Sequence, residues 1–218
     1  MPPILSQNEQ RVLGCLLEKE VLTPEGYPLS LNSLKLACNQ KTSREPVLDL
    51  TEEAVSLALY QLKGRDLISS RMDSRATKYA HKLETAAALN SGQRAVITLL
   101  LLRGPQTAGE LRGRSERMHS FATPAEAEEA LASLAAYADG PWVKRLERRP
   151  GEKEARWKHL LDGDVTEVDV MEAIAADEAG SLKERVADLE KEVAALRHSL
   201  KGLEEKFEKT RPHVDTQS

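Results

Sequence analysis

Cysteine, glycine, aromatic residues and long apolar runs are all scarce in this 218-residue chain. Two cysteines, Cys15 and Cys38, are too few for a disulfide framework, so a reducing cytoplasm is the expected setting. Twelve glycines are few for a chain that would need cofactor-holding loops. No apolar run reaches the roughly 18 residues that would cross a bilayer; the longest, Ala95 to Leu102, contains Thr98. Met1-Pro2-Pro3 starts without the basic and then apolar stretches of a secretory leader. What remains, 40% apolar and 30% charged residues, is the composition of a helix-rich globular protein.

The net charge of −4 hides an uneven distribution. Residues 1–85 carry 11 Lys/Arg against 11 Asp/Glu, residues 86–161 carry 12 against 9, and residues 162–218 carry 8 against 15. An acidic tail therefore masks a neutral first part and a mildly basic second part. That balance permits nucleic-acid binding without announcing it.

The chain repeats itself. The segment from Gln10 to Lys19 lies over Gln93 to Leu102, and Lys78-Tyr-Ala-His-Lys-Leu83 lies over Arg156-Trp-Lys-His-Leu-Leu161. Between them Leu34-Lys35 answers Leu111-Arg112, and Leu59 and Leu62 answer Leu131 and Leu134. Four matches in one order imply a unit of about 75–80 residues present twice. In the first copy, Ser6 and Glu9 make a capping box ahead of Val12, Leu13, Leu16 and Leu17 at helical spacing. Leu31, Leu34 and Ala37 indicate a short second helix, and Thr51 opens a third with Val55, Leu59 and Leu62 on one face. Leu67 to Met72 and Ala76 to Leu83 then read as strands about Asp73-Ser74-Arg75. The second copy offers helices over Ser91 to Leu102 and Thr107 to Arg114, and a third helix from the expected capping box Thr123-Pro124-Ala125-Glu126. Strands over Trp142 to Arg148 and Glu154 to Leu161 follow, joined through Pro150-Gly151.

The expected fold is therefore mainly α with small β-hairpins (α+β). Two tandem winged helix-turn-helix domains, residues 1–85 and 86–162, precede an acidic linker (163–180), a coiled-coil helix (181–210) and a disordered tail (211–218). The coiled coil follows from Leu182, Val186, Leu189, Val193, Leu196, Leu200, Leu203 and Phe207, which alternate spacings of four and three. Leucine at d with valine at two a positions favours a parallel two-stranded homodimer; the alternative is a helix folded back on its own domains.

The stretches Tyr27-Pro-Leu-Ser-Leu-Asn-Ser-Leu34, Ala37 to Val47, Leu100 to Arg112 and Asp139-Gly-Pro-Trp-Val143 resemble the YceH-like family of uncharacterised bacterial proteins. The resemblance runs from about Leu5 to the heptad segment. It implies a tandem winged-helix fold in a bacterial cytoplasmic protein, and carries over no activity and no site residues.

In a helix-turn-helix the third helix reads base edges in the major groove. Here Thr51 to Lys63 presents Glu52, Glu53, Ser56, Tyr60 and Gln61, and Thr123 to Ala138 presents Glu126, Glu128 and Glu129, which would face phosphates. Cations collect elsewhere: Lys41 and Arg44 before the third helix; Arg71, Arg75 and Lys78 on the first hairpin; Arg112 and Arg114; then Lys144, Arg148, Arg149, Lys153 and Arg156 on the second hairpin. These twelve are the candidate nucleic-acid contacts. They would grip a backbone more than they would choose a sequence. The competing interpretation is a solvated strand face, with Arg44 paired to Glu45 or Asp49.

Catalysis finds no support. His81 and His159 occupy equivalent repeat positions and point to a duplicated packing role, and neither keeps metal-ligand spacing with a cysteine or carboxylate. Cys15 sits on the first helix's apolar stripe, and Cys38 lacks a base. No phosphate cradle or nucleophile elbow occurs, so no enzyme, cofactor or metal is expected. The expectation is a DNA-binding protein of regulatory type, contacting double-stranded DNA through wings and pre-helix loops with modest sequence preference. The alternative is a scaffold of tandem winged helices that docks a protein partner without DNA; a membrane partner is not expected.

Overall fold

A computed structural model of the chain describes residues 2–73, 76–148 and 150–163. The linker and coiled-coil expectations beyond residue 163, the eight heptad positions, Arg75 and Arg149 lie outside the described residues.

The first half runs α1 (Gln7–Leu22), β1 (Leu29–Ser30), α2 (Leu31–Cys38), α3 (Glu52–Gly64), β2 (Ile68–Met72) and β3 (Thr77–His81). The second runs α4 (Ser91–Arg103), α5 (Ala108–Ser115), α6 (Pro124–Ala135), β4 (Val143–Arg145) and β5 (Trp157–His159). The architecture is α+β, with three helices and then a hairpin in each half; β1 has no counterpart strand in the second.

Local chemistry starts each helix. Ser6 Oγ accepts from Glu9 N at 3.4 Å while the Glu9 carboxylate accepts from Ser6 N at 2.8 Å. Asn90 with Gln93 and Thr107 with Glu110 close reciprocal boxes of the same kind. At α6 the expected box is half made: Thr123 caps Glu126 N, but the Glu126 carboxylate accepts from Ala122 N, one residue short of the cap.

β1, β3 and β2 form an antiparallel sheet in that order, with Leu29 opposite Tyr79 and Ile68 opposite His81. In the second half β4 pairs with β5, placing Val143 opposite His159. The position of β1 is taken by one residue, Gln106, whose N–H and C=O bond Trp157 at 3.0 and 2.7 Å. Both strands of this second hairpin are shorter than the alternating sequence predicts. His81 and His159 sit at matching places, both buried, as the duplication implies.

The two expected segments, residues 1–85 and 86–162, pack closely against each other. By its internal contacts the chain divides at residue 164, so both halves lie in the one compact unit Met1–Asp164. The reason is α1 against α4. In α1 every residue from Arg11 to Glu18 is buried, and in α4 every residue from Ala95 to Leu102. A helix buried all round lies inside a core, not on the surface of one. Gly14 permits the approach, because a Cβ built there would lie 2.9 Å from Leu102 Cδ2 and 3.2 Å from Leu101 Cβ. Polar ties reinforce it: Glu45 N donates to Leu102 O at 2.8 Å, Leu5 N to Leu161 O at 2.6 Å and Arg103 to Ser43 Oγ at 2.7 Å. One apolar cluster therefore runs from Leu5 through Leu161. Among the described residues no helix is long and apolar enough to cross a membrane.

Candidate nucleic-acid interface

The cations proposed from sequence separate into those committed inside the protein and those presented to solvent. Arg44 belongs to the first group and overturns its assignment as a phosphate contact. It is only 4% exposed. Its Nη1 and Nη2 donate to the two oxygens of Glu18 at 3.0 and 2.7 Å, a fork-to-fork pair between the α2–α3 connection and α1. Further bonds reach Ala37 O at 3.1 Å, Ser43 O at 2.8 Å and Gln40 Oε1 at 3.0 Å. Burial works against the charge of Glu18, but the guanidinium outweighs it and holds this carboxyl below its ordinary range. The partner is thus neither Glu45 nor Asp49, the near neighbours weighed from sequence. A residue 26 positions away supplies the carboxylate, which local spacing does not reveal.

Arg112 and Arg114 are exposed and Arg156 half-buried, but each also makes hydrogen bonds within the protein. Arg112 Nε donates to Phe121 O at 3.2 Å, and Arg114 Nη1 to Gln106 Oε1 at 2.6 Å. Arg156 donates to Pro105 O at 3.1 Å and to Glu152 at 3.3 Å, and lies 3.5 Å from Glu110. These three brace α5 and the second hairpin. Lys158, next to β5's Trp157, is buried and pairs with Asp162 at 3.1 Å.

Lys41 stands exposed in the loop after α2. Arg71, exposed, faces half-buried Lys78 across the first hairpin. Lys144 is half-buried on β4. Arg148 and Lys153 are exposed and line a cleft of about 670 Å³ together with Arg145. The floor is built from Ala108 and Gly109, which open α5, and Pro124 and Ala125, which open α6. Two helix N-termini and three cations thus converge, while Glu128 and Glu154 on the same wall offset part of the charge.

The third helix of the first half carries a different surface. Val55, Ala58, Leu59 and Leu62 enter the core, whereas Leu57 is 58% and Tyr60 78% exposed, three residues apart on the opposite face. Leu36 on the packed neighbour α2 is 65% exposed. Tyr60 was legible as outward; Leu57 and Leu36 lie off the helical stripes of their segments, and that displacement is the signal that would have found them.

Comparison with known proteins agrees with the resemblance noted above. The family model described as "Protein of unknown function, DUF480" matches residues 5–152. The UPF0502 proteins YceH of Salmonella agona and Salmonella typhimurium are each 46% identical over 205 residues, covering 91% of this chain and 95% of theirs. The chain belongs to this bacterial family.

Proposed function

We propose that this member of the YceH-like family is a tandem winged helix-turn-helix protein, without enzymatic activity, that grips duplex DNA by its backbone and dimerises through a C-terminal coiled coil. The twice-repeated order of three helices and a hairpin supports the winged-helix assignment. The heptad spacing from Leu182 to Phe207 supports the dimer.

The observation that carries DNA binding is the cleft of the second half. A phosphate entering it would meet Arg145, Arg148 and Lys153 beside the residues that open α5 and α6. Glu52 and Glu53 on α3 and Glu126 and Glu129 on α6 oppose insertion of either helix into a groove. The mode is therefore phosphate contact with little base readout. Three cations imply a log–log salt slope of about −3 per copy.

Fluorescence anisotropy with a random-sequence duplex between 25 and 200 mM salt (about the range where counterion release dominates) tests this. We expect low-salt binding that falls with that slope and weakens equally for all sequences in the R145A/R148A/K153A variant. Undetectable binding at low salt, or unchanged affinity of the variant, overturns it. A chain ending at Gly180 should be monomeric by light scattering; a persistent dimer refutes the coiled coil.

A second function, docking of a protein partner, draws on the exposed Leu36, Leu57 and Tyr60. It gains if DNA binding fails and L57A/Y60A loses a partner that the wild type retains.

A further inference from the structure

A cavity of about 250 Å³ lies on the seam between the two halves, where the last turns of α1 meet the first turns of α4. Its inner wall is Leu17 of α1 with Ala95 and Thr98 of α4, all buried, and half-buried Met118 closes one side. Thr98 spends its hydroxyl proton on Arg94 O at 2.7 Å, so the wall offers a guest mainly apolar contact. The volume falls just under the range of drug-sized ligand sites and suits a molecule no larger than an amino acid.

Two opposite charges stand at the mouth. Arg94 Nη1 lies 3.6 Å from Glu20 Oε2, with the two side chains 39% and 35% exposed. That separation is an ionic contact without a hydrogen bond, and the Arg94 guanidinium donates no hydrogen bond to any described residue. Glu20 Oε2 is held from the other side. Leu83 N donates to His81 Nδ1 at 3.3 Å, so His81 Nε2 carries the ring proton and donates it to Glu20 Oε2 at 2.8 Å. Glu20 Oε1 has no hydrogen-bond partner among the described residues. A cation fork and a carboxylate oxygen therefore flank one apolar recess, both with unused bonding capacity.

We propose that this cavity binds a free aliphatic α-amino acid, with its carboxylate on Arg94, its ammonium on Glu20 Oε1 and its side chain against Leu17, Ala95 and Met118. A guest bearing only a carboxylate would satisfy Arg94 and press a like charge on Glu20, and one bearing only an ammonium would do the reverse. An α-amino acid carries both signs on one carbon, with the apolar group behind them. Neither protein charge gives up a hydrogen bond within the described residues to receive it, and the guanidinium offers parallel donors that match a carboxylate. Glu20 belongs to the first half and Arg94 to the second, so occupancy ties the halves together and reaches β3 through His81. The cavity shares no residue with the cation-lined cleft, and it stands whether or not that cleft binds DNA.

Isothermal titration calorimetry and thermal melts of the full-length protein with L-leucine, L-isoleucine and L-valine test the proposal. At least one should bind saturably at one site per chain and raise the melting midpoint by about 3–5 °C at roughly tenfold excess over its Kd. Isocaproate, which is leucine without the ammonium, and isoamylamine, which is leucine without the carboxylate, should each bind about tenfold more weakly or less. Arg94→Gln should weaken amino-acid binding by about tenfold or more, while its melt without ligand stays near wild type, since a half-exposed ion pair contributes little to folding. No binding of any of the three amino acids up to about 10 mM, an analogue lacking one charge that binds as tightly as the amino acid, or unchanged affinity in folded Arg94→Gln each overturns the proposal. Should that variant not fold, the two analogues decide on the wild-type protein.

Discussion

Removing the Arg44 side chain distinguishes a core lock from a phosphate contact. Arg44→Ala deletes five hydrogen bonds. It leaves the carboxylate of Glu18, whose side chain is 8% exposed, with Lys19 at 3.4 Å as its one remaining ionic neighbour among the described residues. Breaking one partner out of a buried pair costs about 3–5 kcal/mol, because the remaining charge stays desolvated. Lys19, itself 17% exposed, compensates in part and places the expectation at the lower end, about 3 kcal/mol. With a urea m-value of about 2 kcal/mol/M, the midpoint should fall by roughly 1.5 M. Urea titration followed by Trp142 and Trp157 fluorescence reads that shift. Arg44→Lys should lie between wild type and alanine, since it keeps charge and loses the fork. DNA anisotropy on the folded fraction should be unaffected by Arg44→Ala. A loss below about 1 kcal/mol accompanied by a clear fall in DNA affinity would refute this reasoning and return Arg44 to the surface.

Three further tests address other parts of the molecule. His159 is buried, and burial lowers its pKa to about 4, so the unfolded chain binds the extra proton between pH 6.5 and 4 and stability is lost as pH falls through that window. Between pH 7.5 and 5 the loss should be about 2 kcal/mol in urea titrations and should shrink in His159→Gln; an equal loss in the variant excludes this histidine as its source. Gly14→Val should cost about 1–3 kcal/mol by overpacking α1 against Leu101 and Leu102, with one unfolding transition throughout; a neutral or stabilising result would mean that α1 and α4 are not in contact. Thr51→Ala removes the cap that accepts from Ala54 N at 3.2 Å and should cost about 1 kcal/mol by thermal melts; an unchanged melt would show that the cap contributes nothing.

Caps and periodicity decide where a helix starts and which way its stripe faces, and both are local properties. For that reason Ser6, Thr51, Thr107 and Thr123 marked helix starts, and the positions of His81 and His159 followed from the repeat. The run Ala95 to Leu102 was visible as apolar, but its meaning was not: buried on every side, it is the helix against which α1 packs. Whether a lysine or arginine is free also depends on residues distant in sequence. Arg44 and Lys41 lie three positions apart, yet one is locked to Glu18 and the other stands in solvent. Composition and spacing thus determined the six helices, the two hairpins and their repeated order, but not β1 or the short span of the second hairpin. Only the tertiary structure decided that the two copies share one core and which cations remain outward, because each depends on long-range packing that no window of neighbouring residues contains.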